Sequence, residues 1–308
     1  MLILYLELVI MIIIWSFSFV LVDIAVQFIP PLSLALYRFI IASASFLIID
    51  IYLKLCRKKK LNEHNNSSKK TEFSRNEWIL LIFASFTGVS LFFLAQYTAI
   101  EIIGPSLPAL FVCLLAPVAI TILALFIFNE KLSILKVIGF AIATFGGFLL
   151  VTGGNLETLT PNSPNFLGYL LALLTPFLWA IYSTITKKLT KNRSSNVLNK
   201  YVSYLGLIEL TIFVLINGEL IEFFTTFLNI ALFLSALYLG LGCYVLGYYV
   251  WQNSQKNLKS SKAASFLYIE PFLTLLFSFL LQRTETIVLW NIIGGVIVLV
   301  AVLIINYK

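Results

Sequence analysis

The chain has 308 residues, of which 60% are hydrophobic and 11% charged, with a formal net charge of +7 and a mean hydropathy of +0.98. A soluble domain carries roughly 25% charged residues, so composition excludes one. The basic residues flank apolar runs, where they suit anionic lipid headgroups better than nucleic acid.

A bilayer core of about 30 Å takes roughly 20 apolar residues per helix. Runs of that kind predict ten transmembrane helices, at 2–28, 32–53, 78–100, 105–127, 133–153, 165–187, 197–216, 229–252, 262–281 and 287–306. The first run lacks a basic leader and a small-residue cleavage site and reads as a retained helix. Asp23 and Arg38 stand about equally far on either side of the Pro30-Pro31 turn, so a hairpin of the first two helices predicts a structural ion pair between them. Residues 54–77, rich in Lys, Asn and Ser, predict a disordered cytoplasmic loop. The single histidine, His64, falls inside it, which removes histidine relays, histidine metal ligands and Ser/His triads together. Cys56, Cys113 and Cys243 show neither CxxC nor Cys/His spacing, so no metal site and no disulfide framework are expected.

In the fourth helix Pro117 removes the amide that would bond the carbonyl of Cys113, and in the ninth Pro271 does the same for Leu267. Both predict kinks that serve as hinges or cavity walls, because a freed carbonyl at membrane depth must face protein or water. Pro105 and Pro108 sit in a first helical turn, where proline is tolerated. Gly139, Ala143 and Gly147 form a small-residue stripe for close helix packing. Glu270 falls near mid-membrane with no basic partner evident, making it the candidate for a coupling proton or a substrate amine. Trp15, Gln96, Tyr97, Trp179, Tyr182, Tyr244 and Tyr248 are the remaining candidates for substrate binding or cavity lining.

Loop charge fixes orientation. Lysines and arginines concentrate after helices 2, 4, 6 and 8, whereas the opposite loops carry Glu101, Glu157, Glu219 and Glu222 and, after helix 9, Arg283. By the positive-inside rule both termini are cytoplasmic, in the cell membrane. The halves also repeat. Pro117 is followed thirteen residues later by Glu130, Pro271 fourteen later by Glu285, and Trp15 matches Trp179. Five helices per half force the copies into opposite orientations, an all-α 5+5 inverted repeat around a central cavity, with repeats at 1–153 and 165–308.

Several segments then carry a family resemblance: Trp15-Ser16, Leu36-Tyr37-Arg38-Phe39, Tyr97-Thr98-Ala99, Leu115-Ala116-Pro117 and Phe128-Asn129-Glu130-Lys131-Leu132 in the first half. The second half adds Trp179-Ala180-Ile181-Tyr182, Trp251-Gln252-Asn253, Tyr268-Ile269-Glu270-Pro271 and Gly294-Gly295. In this order the chain resembles the EamA-type family of the drug/metabolite transporter superfamily. It departs at Gln282-Arg283-Thr284-Glu285, where that family has a Leu-Gly-Glu type of sequence. The resemblance implies a ten-helix transporter with a cavity between halves, many members being proposed exporters of amino acids or other metabolites.

No HExxH, GxSxG or phosphate-binding loop is present, so no catalytic residue, no cofactor and no ATP hydrolysis are expected. The partners expected are a small-molecule substrate, the lipid bilayer and a coupling proton, with the chain a monomer or homodimer and no nucleic acid bound. A neutral, zwitterionic or cationic metabolite such as an amino acid is preferred as cargo, since a phosphate dianion wants several fixed cations near mid-membrane. A sugar phosphate or nucleotide sugar is the alternative cargo, and a scaffold or receptor the alternative class.

Overall fold

The computed structural model describes residues 2–60, 73–129, 133–152, 165–283 and 288–306, and within them every regular element is helical. Among the described residues the bundle is built of α1 (Leu2–Ala25), α2 (Pro31–Lys60), α3 (Arg75–Ile103), α4 (Ser106–Phe128), α5 (Ile134–Thr152), α6 (Phe166–Thr190), α7 (Ser195–Ile216), α8 (Ile230–Asn257), α9 (Ser260–Leu280) and α10 (Leu289–Asn306), of which α1–α4 and α6–α9 contain segments long and apolar enough to cross a membrane. Large apolar side chains such as Ile48, Phe126, Phe279 and Leu280 point outward from the bundle. An exterior this apolar is one that lipid covers.

Two features differ most from expectation. Helix α2 runs on through Lys60, because Lys and Leu continue a helix well once the chain has left the apolar core. A short helix, Leu220–Thr226, occupies the connection between α7 and α8. Glu130, Glu285 and the stretch containing His64 lie outside the described residues.

The packing follows the repeat. Helix α1 packs on α9 as α6 packs on α4; α3 packs on α6 and α7 as α8 packs on α1 and α2; α2 meets α7, and α5 meets α10. Each contact turns into its counterpart when the first five helices are exchanged for the last five. A two-fold relation between the halves produces that pattern, and an odd helix number per half makes the copies inverted.

Interruptions repeat as well. Helix α3 widens to a π-helical turn at Phe86–Ser90, and its counterpart α8 does so at Tyr238–Tyr248. In each the chain brings a glycine against the first helix of the other half: Gly88 against the Tyr182 ring on α6, and Gly247 against the Trp15 indole on α1. A Cβ at either position would overlap those rings. The serines bounding the α3 turn, Ser85 and Ser90, both donate to Glu209 on α7, an intramembrane carboxylate that thereby braces the wider turn.

The small-residue stripe on α5 is split between two neighbours. Gly139 and Gly146 face α10, where an added Cβ would come within 2.5 Å of Ile305 and 2.9 Å of the Gly294 carbonyl oxygen. Gly147 instead faces Leu114 of α4. Residues 139 and 147 are eight apart, about 80° round a 3.6-residue helix, which takes the second off the α10 face. At the end carrying the basic loops, Arg193 grips Glu77 through two bonds of 2.9 Å and Lys200 meets Asp50 at 2.8 Å, each tying one half to the other.

Candidate functional site

A cavity of about 50 Å³ lies on the interface between the halves. Helix α1 contributes Trp15, Ser18 and Phe19, α3 contributes Phe92, Phe93 and Gln96, and α4 contributes Val112 and Cys113; Arg38, Trp179, Tyr248, Leu267 and Glu270 close it. Trp15 and Trp179, matched between the repeats in sequence, touch each other, with ring centroids 5.4 Å apart and planes at 86°. A residue that contacts its own counterpart sits near the two-fold axis. Tyr248 packs on both indoles, at 5.9 and 5.3 Å.

These rings are held by the irregular backbone. The Trp15 indole donates to the carbonyl of Cys243 at 2.9 Å, inside the π-helical stretch of α8. Tyr248 in that stretch donates its hydroxyl to the Gly88 carbonyl at 3.2 Å, inside the π-turn of α3. The two wide turns thus meet across the pseudo-two-fold, and together they fix the aromatic wall.

Of the candidates read from sequence, Trp15, Gln96, Trp179, Tyr248 and Glu270 reach the cavity. Tyr97, Tyr182 and Tyr244 stand one layer behind it. Tyr97 accepts a bond from Arg38 at 2.8 Å, Tyr182 accepts from the Gln252 amide at 2.9 Å, and Tyr244 donates to the Asn199 carbonyl at 3.0 Å. Their hydroxyls are spent on protein partners.

Both proline helices bring the residue one turn before the proline, Cys113 in α4 and Leu267 in α9, to the cavity wall. In α9 the backbone tightens into a 3-10 helix at Ser265–Ile269, and the amide of Glu270 bonds the Leu267 carbonyl that Pro271 cannot serve. The α-helix resumes at Glu270. Helix α4 remains α-helical through Pro117.

Glu270 is 3% exposed and lies about 15 Å along α9 at 1.5 Å per residue, close to mid-depth. Its side-chain hydrogen-bond partner is the Cys113 thiol, 3.1 Å away. A thiol is a weak donor, so the carboxyl keeps most of its capacity for a proton or a cation from the cavity.

The expected Asp23–Arg38 pair does not form. Asp23 bonds Arg283 at 2.6 Å, tying the end of α1 to the chain leaving α9. This pair lines a second, polar cavity of about 310 Å³ with Gln27, Gly104 and Asn165, at the end of the bundle opposite the basic loops. Arg38 turns inward, 3% exposed, its guanidinium 4.2 Å from the Phe93 ring centre. Equal depth along two helices does not fix direction around their axes, and that direction separates the two residues.

Sequence reading missed Arg38 as a cavity residue, together with Phe19, Phe92 and Cys113. Signals existed. Phe19 stands one turn from Trp15 and Phe92 one turn from Gln96, hence on shared faces, and Cys113 sits four residues before a proline. Among the described residues no cluster of His, Cys, Asp and Glu could hold a metal ion.

The chain matches the model of the EamA-like transporter family over residues 2–152 and 166–307. It is 27% identical to an uncharacterized transporter of Archaeoglobus fulgidus, over 94% of this chain and 92% of that one. It is 25% identical to the uncharacterized transporter YyaM of Bacillus subtilis, over 93% of this chain and 88% of that one. A solved crystal structure shares the fold with a TM-score of 0.65 at 17% identity, covering 98% of this chain and 95% of that one.

Proposed function

The chain belongs to the EamA-like transporter family, and from that premise we propose that it is a secondary-active exporter of a small neutral, zwitterionic or cationic metabolite, such as an amino acid. The observation that carries this reading is Glu270, a buried carboxyl at mid-depth that makes no ion pair among the described residues, facing a cavity walled by Trp15, Trp179 and Tyr248. Such a group binds a coupling proton or a substrate amine, and the rings accept the apolar remainder. A phosphate dianion would meet one cation, Arg38, and be repelled by Glu270.

Transport proceeds by alternating access between the two repeats, 1–153 and 165–308, with the hinge at Pro271, where 3-10 helix gives way to α-helix. A space of about 50 Å³ holds a few waters on the measure of roughly 10–15 Å³ each, whereas ligand sites run to about 300–1,000 Å³. The halves must therefore separate to admit cargo. By the positive-inside rule the basic loops support cytoplasmic termini, and the membrane of this reading is the plasma membrane.

The test is counterflow of labelled amino acids and amines in proteoliposomes, with wild type and Glu270→Gln at several pH values. Wild type should exceed protein-free vesicles, and the variant should lose at least tenfold while melting at the same temperature. Absence of wild-type flux across the panel, or unchanged flux and pH profile in the variant, would refute the reading.

A further inference from the structure

The central cavity is lined by two ionisable groups of opposite kind, a guanidinium and a carboxyl, that do not pair with one another. Arg38 enters from α2 in the first half and Glu270 from α9 in the second. Each is 3% exposed, and among the described residues neither makes an ion pair within 4 Å. The guanidinium has neutral partners throughout: Nη1 donates to the Tyr97 hydroxyl at 2.8 Å, the plane lies over Phe93, and Nε is buried with no hydrogen-bond partner. Among the described residues the carboxyl of Glu270 has the Cys113 thiol as its one side-chain partner.

A buried ion pair kept for structure would close, because isolated charges in a low-dielectric interior are costly. Here the fold leaves the guanidinium and the carboxyl unpaired in the lining of one cavity, each with capacity to spare. We infer that Arg38 binds the carboxylate of the transported molecule while Glu270 binds its ammonium group, so that the cavity selects a zwitterion. This rests on the reading of the cavity as the transport site. An amine lacking a carboxylate leaves the guanidinium unmet, and a carboxylate lacking an amine leaves Glu270 unmet. A molecule with both groups satisfies both poles. The guanidinium is the suitable side chain for the first role, since its fork of N–H donors matches a carboxylate. Sites built around paired polar groups reject analogues missing one of them more strongly than apolar pockets reject a missing methylene.

The experiment uses the full chain in detergent and the fluorescence of the cavity tryptophans. Wild type is titrated with each of the twenty proteinogenic amino acids, and the tightest is compared with its decarboxylated amine and its N-acetyl derivative. The amino acid should bind at least tenfold more tightly than either. Arg38→Gln should lower amino-acid affinity to that of the amine and leave the amine unchanged. Glu270→Gln should lower it to that of the N-acetyl compound. Arg38→Lys, which keeps the charge but loses the fork, should fall between wild type and Arg38→Gln, and carries the test if the glutamine variant does not fold. Equal losses for amine and amino acid in Arg38→Gln, wild-type preference for the amine, or binding of no amino acid would overturn the assignment. Preference for the amine would leave the proposed transport of a cationic metabolite standing, whereas absence of all flux in the proteoliposome assay would remove both.

Discussion

Helices α4 and α9 hold equivalent places in the two halves, yet they solve the same problem differently. Each carries a proline deep in the bilayer, and each brings the residue one turn earlier to the cavity. In α4 the residue before the proline is Ala116 and the helix stays regular. In α9 it is Glu270, placed where a 3-10 turn gives way to α-helix, with its own amide serving the Leu267 carbonyl. The repeat therefore supplies the geometry twice and the charge once. Under the proposed alternating access, a single acid is offered to one side and then the other as the halves exchange conformation. Two acids at the axis would repel each other and bind a different cargo.

The strongest way to break this comparison is to make the halves chemically alike. Ala116 is fully buried, and Ala116→Glu places a carboxyl there with no partner. The expected cost is about 3–5 kcal/mol, the range for an uncompensated buried charge, read as a large fall in melting temperature in detergent. A variant that melts like wild type would mean that α4 offers the same environment as α9. Next in size is the backbone difference. Pro271→Ala restores an amide able to bond Leu267, in competition with the 3-10 bond that positions Glu270. Transport should drop about tenfold, equivalent to about 1.4 kcal/mol. Pro117→Ala, in a helix already regular, should change transport by less than about threefold, equivalent to about 0.65 kcal/mol. Equal losses would show that the 3-10 turn has no special part in placing the acid.

The pairing of α4 with α9 was legible in the sequence because the matched prolines survive in linear order, as was the all-helical membrane fold in two repeats. The Trp15–Trp179 correspondence was legible too, although nothing linear says that the two rings touch. The π-helical stretches were not legible. They arise where Gly88 and Gly247 meet rings from the opposite half, and such contacts exist only in three dimensions. The Asp23–Arg38 pair failed for a related reason: hairpin symmetry gives depth, while the angle around each axis is set by neighbours such as Arg283 and Tyr97. Tyr97, Tyr182 and Tyr244 were read as cavity wall because amphipathic rings suit one. Their hydroxyls were instead claimed by Arg38, Gln252 and Asn199, residues distant in sequence.

The smallest expected effect lies at the point where α4 and α9 touch through polar atoms. Cys113 is a free, buried thiol aimed at Glu270, so the first half does contribute to the acid, though weakly. Cys113→Ala removes the donor and should alter transport about two- to threefold, on the order of 0.5 kcal/mol, without moving the melting temperature by more than a few degrees. Cys113→Ser supplies a stronger donor of similar size and should hold the rate at or above wild type. If serine and alanine reduce transport equally, the thiol acts by filling volume, and the chemical contribution of α4 to the acid is nil.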